Sequence, residues 1–243
     1  MNEINKTDDQ IYLSVILPCF NEEGSIHRIK DELVPELERL GLTYEIILVD
    51  DGSTDKTFET AKALDLSQLR IIRHETNKNI GAALKTGFYA AQGVACIPYD
   101  GDFTYPTKYI KFLVERFRQN DVDFVSGSPE LANFGDDVPW HRQAISRFAN
   151  FVYVILLGKK VTAVTHTFRI YKTNQLKELD LETDGFDIGA ETLFKLIKKK
   201  RTFVEIPVSL VQRRFGESKL DFKKEIKNHI KLITRILKWR LKI

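Results

Sequence analysis

The chain has 243 residues, 43% of them hydrophobic and 29% charged, with a formal net charge of +3. That composition excludes a disordered chain and a protein committed as a whole to polyanions such as nucleic acid, and it provides for a sizeable core. Only Cys19 and Cys96 are cysteines, each within an apolar run, which argues against a disulfide framework and fits a reducing, cytoplasmic setting.

Met1 to Gln10 is polar and predicts a frayed end, residues 1–10. Tyr12 to Leu17 is a β-branched and aliphatic run closed by Pro18, and Ile26, Ile29, Leu33, Leu37 and Leu40 then recur at helical spacing within Glu22 to Leu40; strand followed by helix is expected. Glu45 to Val49 predicts a second strand running into Asp50-Asp51-Gly52-Ser53, after which Thr54 or Asp55 can cap a helix carrying Phe58, Ala61 and Leu64. Leu69 to Arg73 reads as a third strand, Gly81 to Ala91 as a helix, and Val94 to Tyr99 as a fourth strand that ends at Asp100-Gly101-Asp102. A helix with Ile110, Leu113, Val114 and Phe117 inward follows Pro106, and a strand closes at Phe124-Val125-Ser126-Gly127.

The second half is less regular. It predicts a loop from Pro129 to Pro139, a helix from Trp140 to Leu157, a strand at Phe168 to Tyr171 and a helix from Ile188 to Lys200. Strands alternating with helices predict an α/β fold with a mostly parallel sheet, whose ligands gather at the carboxyl ends of the strands.

The acidic clusters stand at those ends. Asp100 and Asp102, one residue apart after an apolar strand, are costly to hold together without a cation. Mg²⁺ or Mn²⁺ suits them, because such an ion takes one or two carboxylates and completes its shell with phosphate oxygens and water. Asp50 and Asp51 could accept hydrogen bonds from a ribose or a base. Each cluster taken alone also fits an ordinary acidic turn. Neither a Gly-x-Gly-x-x-Gly loop after the first strand nor a P-loop is present.

Val15-Ile16-Leu17-Pro18-Cys19-Phe20-Asn21-Glu22, Val49-Asp50-Asp51-Gly52-Ser53, Asn79-Ile80-Gly81 and Asp100-Gly101-Asp102 resemble, in order and spacing, the signature of family 2 glycosyltransferases with the GT-A fold. Ser126-Gly127-Ser128, Arg142 with Ser146, Phe168-Arg169, Gly185-Phe186 with Glu191, and Arg213 to Lys219 extend the resemblance to the polyprenyl-phosphate branch over roughly residues 12–220. The resemblance implies a GT-A domain, residues 11–220, that moves a sugar with inversion from a GDP- or UDP-sugar to a dolichyl or undecaprenyl phosphate. It implies that Pro18, Phe20, Glu22, Asp50 and Asp51 line the nucleoside pocket and that Asp100 and Asp102 hold Mg²⁺ or Mn²⁺ and the diphosphate, Asp102 counting among the catalytic residues. Arg142 and Arg213, also catalytic, would hold the acceptor phosphate with Ser146, beside Lys219; Gly81, Lys85, Arg169 and Glu191 complete the expected substrate-binding set. The chain departs from the pattern at Pro129, where the branch has Arg, at Ala163 to Thr167, and at Thr104. A sugar-hydroxyl acceptor, needing Asp184, Asp187 or Glu191 as base, and a non-catalytic nucleotide-binding relative are the alternatives.

Residues 221–243 predict a basic amphipathic helix. Phe222, Ile226, Ile230, Ile233, Leu237 and Leu241 share one face at about 100° per residue, with Lys224, Lys227, Lys231, Arg235, Lys238 and Lys242 gathered opposite. Such a helix can lie on an anionic bilayer or pack its apolar stripe on the core. No run approaches the roughly 20 apolar residues of a spanning helix, so peripheral attachment to the cytoplasmic membrane face, directly or through a membrane-protein partner, is expected.

Overall fold

A computed structural model describes residues 10–132, 150–211 and 222–241. Its centre is a seven-stranded sheet in the order β3-β2-β1-β4-β6-β5-β7. The strands are β1 (Leu13–Cys19), β2 (Tyr44–Asp50), β3 (Leu69–Arg73), β4 (Ala95–Pro98), β5 (Phe124–Ser128), β6 (Arg169–Lys172) and β7 (Phe203–Pro207). Only β6 runs against its neighbours; the β1–β2, β1–β4, β2–β3 and β5–β7 pairs are parallel. The expected mostly parallel α/β sheet is what forms.

The central strands are mostly apolar because both their faces are covered. Side chains alternate along them. Val15, Leu17, Ile46 and Leu48 enter one core, under α1 (Val34–Arg39) and α4 (Lys108–Phe117). Ile16, Ile47 and Val49 enter the other, which also takes in α3 (Ile80–Ala90), α5 (150–157), α7 (Ile188–Lys198) and α8 (Phe222–Leu241). Two short helices, α2 (Thr57–Ala63) and α6 (Thr173–Lys177), complete the set named in chain order.

The helix expected across residues 22–40 is shorter, starting at His27, and passes at once into a π-turn, Ile29–Leu33, in which the Val34 N–H reaches back to the Ile29 carbonyl. Pro35 is the physical reason. It lacks an N–H and its ring would collide with the carbonyl four residues earlier, and the widened turn relieves both faults. In α2 the predicted cap is Asp55, whose Oδ1 accepts the Thr57 N–H at 3.0 Å. Strand β7 carries Glu205 in mid-run and its apolar residues are only half-buried, so it has no strong apolar signature.

Helix α8 rotates its predicted face. Leu232 and Ile236 are the fully buried residues, Trp239 stacks on Phe194 of α7 at 5.5 Å, and His229 Nδ1 meets the Tyr153 hydroxyl of α5 at 2.7 Å. Ile230 and Leu237, at the middle of the predicted apolar face, stay exposed.

Candidate active site

Strand order creates the site. From β1 the chain steps to β2 and β3 on one side, then returns to place β4 on the other. A crevice opens where the direction reverses, outside the carboxyl ends of β1 and β4. Pro18 and Phe20 lie at the end of β1, Asp50 and Asp51 at the end of β2 next to it, and Asp100 and Asp102 just past β4. Cys19 pairs in register with Asp50, and the Asp51 N–H donates to the Cys19 carbonyl at 2.8 Å. On the β4 side, a Cβ added at Gly101 would stand 2.7 Å from Cys19 Sγ and 3.1 Å from the Pro18 carbonyl. Only glycine lets the two aspartates approach β1 so closely.

The loops after β1 and β2 are laced together. Asn21 N–H donates to Ser53 Oγ at 2.9 Å, Glu22 N–H to Thr57 Oγ1 at 2.7 Å, and Thr54 N–H to Asn21 Oδ1 at 2.8 Å. Glu22 is thus tied to the loop after β2 through its backbone.

Asp50 is fully buried, with Oδ1 accepting the Ser53 N–H at 2.9 Å and Oδ2 ion-paired to Arg73 Nε at 3.1 Å. Asp51, equally hidden, holds His74 Nδ1 at 2.6 Å and the Lys78 N–H at 2.9 Å on Oδ1, while His74 Nε2 meets Thr86 Oγ1 at 2.9 Å. His74 and Thr86 had no motif to mark them in the sequence; only the fold brings them behind Asp51.

The second pair is set differently. Asp100 and Asp102 are part-exposed, with Thr104 N–H donating to Asp102 Oδ1 at 3.0 Å and Arg28 donating to the Asp102 carbonyl at 3.2 Å while pairing with Glu32. Beneath them lies an aromatic floor: Tyr99 packs edge-on against Phe103 and Phe168, and Tyr105 stacks on Phe168 at 4.6 Å. Burial pushes the Tyr99 and Tyr105 phenols upward, so both remain neutral donors. The Tyr99 hydroxyl donates to the Tyr105 carbonyl, and the Tyr105 hydroxyl meets His166 Nδ1 at 2.6 Å. Burial, with the nearby Arg169 charge, lowers His166 to about 4, so the neutral ring accepts from the phenol. His166 belongs to the segment where the chain departs from the family pattern.

Four residues of the expected substrate-binding set have internal contacts. Arg169 is 0% exposed and donates to Ser126 Oγ and to the carbonyls of Ala163, Val164 and Gly189. It pins segment 162–164, together with Glu205, whose carboxylate accepts the N–H groups of Thr162 and Ala163; that makes it a positioning residue. Glu191 is likewise fully buried, accepts the Glu182 and Thr183 N–H groups and pairs with Lys195 at 2.7 Å. Burial opposes its ionisation, but Lys195, the Thr183 hydroxyl and those N–H groups hold its carboxyl below the usual range. The strand of backbone it fixes leads to Asp184, whose carbonyl takes the Gly81 N–H at 2.7 Å and whose carboxylate pairs with Lys85 at 2.7 Å. A Cβ on Gly81 would lie 2.6 Å from Asp184 backbone. Gly81 and Lys85 therefore dock the start of α3 on this loop. Arg142, Ser146, Arg213 and Lys219 lie outside the described residues.

The donor set fits a hard divalent cation. Two part-exposed carboxylates offer oxygen ligands and leave room for water and phosphate, as Mg²⁺ or Mn²⁺ requires. Among the described residues no three His, Cys, Asp or Glu side chains cluster as an all-protein metal cage would.

Comparison with known proteins matches residues 14–180 to the model of glycosyl transferase family 2. The chain belongs to glycosyltransferase family 2. The dolichol-phosphate mannosyltransferase of Pyrococcus furiosus is 31% identical over 231 residues, a match covering 93% of this chain and 64% of that protein's length. The undecaprenyl-phosphate 4-deoxy-4-formamido-L-arabinose transferase of Edwardsiella ictaluri is 28% identical over 228 residues, covering 92% and 67%. Among solved structures, the glucosyl-3-phosphoglycerate synthase of Mycobacterium tuberculosis with Mn²⁺, UDP-glucose and phosphoglyceric acid superposes with a TM-score of 0.72 at 19% identity, over 96% of this chain and 80% of that one. The same enzyme with Mg²⁺ and UDP gives 0.67 at 20% identity, over 96% and 80%. These likenesses establish the GT-A fold.

Proposed function

We propose that this glycosyltransferase family 2 protein moves a sugar, with inversion, from a GDP- or UDP-sugar to a polyprenyl phosphate at a membrane surface. The observation that carries the reading is the convergence of Asp50, Asp51, Asp100 and Asp102 on the β1–β4 crevice. The names of the two curated relatives, both lipid-phosphate transferases, support the acceptor class.

In this mechanism the nucleoside lies along Pro18, Phe20 and the Asp50–Asp51 wall, whose internal bonds fix it before the donor arrives. Asp100 and Asp102 would hold Mg²⁺ or Mn²⁺, whose charge would offset that of the departing diphosphate. Arg142, Ser146, Arg213 and Lys219 grip the acceptor phosphate, where arginine forks suit its oxygens. An acceptor oxygen attacks the anomeric carbon from the face opposite the diphosphate; the carbon–oxygen bond to the diphosphate breaks and the nucleoside diphosphate leaves. A phosphate acceptor is already anionic near neutral pH and requires no base.

The contrasting acceptor, a sugar hydroxyl, would require one. Of the three candidates, Glu191 has its oxygens on backbone N–H groups and Lys195, Asp184 pairs with Lys85, and Asp187 is buried. Those engagements favour phosphate. The test is incubation of the protein and Mn²⁺ with a panel of radiolabelled GDP- and UDP-sugars and either polyprenyl phosphate or oligosaccharide. Label should enter the organic phase only with lipid phosphate; transfer to oligosaccharide alone, or none at all, sinks the reading.

A further inference from the structure

The turn that carries Asp100 and Asp102 is strained at one place. Phe103 has a φ of 57°, in the left-handed region, where a bulky side chain is costly. Among the described residues the other non-glycines found there are Asn21, Asp65, Asn79, Asn120 and Lys200; Phe103 is the aromatic of the set. Its ring is 2% exposed and lies edge-on to Tyr99 at 5.3 Å. Such a conformation persists only where the surroundings enforce it. The charged group over the ring is Arg28, whose Cζ lies 4.4 Å from the ring centroid.

Arg28 is 5% exposed and makes three engagements at once. The guanidinium lies over Phe103, Nε and Nη2 donate to the two carboxylate oxygens of Glu32 at 2.7 and 3.0 Å, and Nη1 donates to the Asp102 carbonyl, 74 residues away in sequence, at 3.2 Å. An ion pair is seldom the cheapest way to fill a core, since an apolar side chain of the same volume does so without desolvating a charge. Filling space therefore does not account for Arg28. A planar fork that stacks on a ring and donates from separate nitrogens does.

What the fork holds is the peptide between Asp102 and Phe103. Its carbonyl is bonded to Nη1 and the ring that follows lies under the same guanidinium, while the Thr104 N–H orients the Asp102 carboxylate at 3.0 Å. The turn is closed further by the Phe103 N–H on the Asp100 carbonyl at 3.0 Å and the Val211 N–H on the Thr104 carbonyl at 2.9 Å. Losing Arg28 frees both the Asp102 carbonyl and the ring. Relaxation of Phe103 toward an ordinary φ then turns the Asp102–Phe103 peptide, and the carboxylate with it.

We propose that Arg28 is a positioning residue for the divalent-ion site, clamping the strained turn so that the Asp102 carboxylate stands ready beside Asp100 before the ion arrives. Buried as it is, Arg28 acts through Asp102 rather than by touching ion or nucleotide. This rests on the assignment of Asp100 and Asp102 to Mg²⁺ or Mn²⁺ in the function proposed above. Ligands oriented in advance lose less freedom on binding, so removing the clamp weakens the ion without changing its ligands.

Calorimetric titration of the full chain with UDP and with GDP, each with and without Mn²⁺, tests the clamp. The factor by which Mn²⁺ tightens the better-bound nucleotide should fall roughly tenfold or more in Arg28→Ala, while metal-free affinity, which depends on the Asp50–Asp51 wall, stays the same. Arg28→Lys keeps a charge for Glu32 but not the fork, so it should recover thermal stability and still leave the Mn²⁺ factor roughly threefold low or worse. Phe103→Leu keeps a buried apolar side chain on the same strained backbone and removes the π face; its Mn²⁺ factor should fall roughly threefold. These last two carry the test should Arg28→Ala not fold. An unchanged Mn²⁺ factor overturns the proposal, including the case where affinity falls equally with and without Mn²⁺, as loss of a merely structural residue would make it. Full recovery of the factor in Arg28→Lys also overturns it, because charge alone would then suffice. A wild-type chain that binds neither nucleotide more tightly with Mn²⁺ removes Asp100 and Asp102 from the metal role, and the clamp with them. A wild-type response that the variants share in full removes the clamp alone.

Discussion

Two acidic pairs border one crevice, yet they are built on opposite principles. Asp50 and Asp51 are at most 2% exposed, their oxygens holding a turn, Arg73, His74 and a backbone N–H. Asp100 and Asp102 are part-exposed on an aromatic floor, at the mouth of the same crevice. A carboxylate saturated by its own protein is rigid and serves as a wall; one that reaches solvent can exchange water for a cation and a phosphate. The contrast predicts that damage to the second pair abolishes turnover at little structural cost, and that damage behind the first pair costs stability and nucleoside affinity together.

The largest effect should come from Asp102→Asn. The side chain keeps its shape and can still accept the Thr104 N–H, but it loses the charge that we propose holds a divalent ion. A fall in kcat of about 10²–10³-fold is expected, with unfolding displaced by under ~1 kcal/mol. Sugar-transfer rates titrated against Mn²⁺, alongside urea unfolding, check both halves. Unimpaired turnover would remove Asp102 from the metal site.

His74→Ala probes the other pair and should do less. It removes the donor to Asp51 Oδ1 and the acceptor for Thr86, at a cost of roughly 1–3 kcal/mol in unfolding. Released from its partner, Asp51 should bind the nucleoside about tenfold more weakly, while the Mn²⁺ concentration for half-maximal rate stays the same. His74→Asn, which restores an N–H near the Nδ1 position, should recover part of both losses. Calorimetric titration with nucleoside diphosphates decides it: lost stability with unchanged affinity would reduce His74 to a core residue.

What could be read from the sequence follows from how each pair is held. Central parallel strands are apolar runs cut by turns, so β1, β2 and β4 and the acidic residues ending them stand out, and the family signature falls on the same stretches. Partners supplied from elsewhere leave no local pattern. His74 lies 23 residues from Asp51, and Arg169 and Glu191 look like ligand-binding groups until their contacts with backbone carbonyls and N–H groups appear. A polar residue buried against backbone has the same spelling as one facing a substrate. Helix α8 was ambiguous for another reason: its apolar arc is broad enough to hold two faces, and the periodicity picked out the exposed one, centred on Ile230 and Leu237, while Leu232 and Ile236 turned inward.

The smallest effect concerns the floor beneath the second pair and has a definite sign in pH. His166 is lowered to about 4 by burial and by Arg169, below the ordinary 6.5 of the unfolded chain. Between those values the unfolded state binds the proton and the folded state does not, so stability rises with pH across that window. The contribution is complete above about pH 6.5, is lost progressively down to about pH 4, and is flat below. Because His166 is only part-buried, the loss should be about 1 kcal/mol, less than the full shift implies. Protonation also turns Nδ1 from acceptor into donor, so the Tyr105 hydroxyl must accept and turn its own hydrogen away from the ring, rearranging the floor under Asp100, to which Thr167 Oγ1 lies at 3.5 Å. Other carboxylates titrate in the lower part of this range, so the quantity to measure is the difference in unfolding free energy between wild type and His166→Asn, whose amide can still bond the phenol at every pH. A difference that does not change between pH 4 and pH 7 would mean that the ring is as readily protonated in the folded chain as in the unfolded one, and that the floor is held by aromatic packing alone.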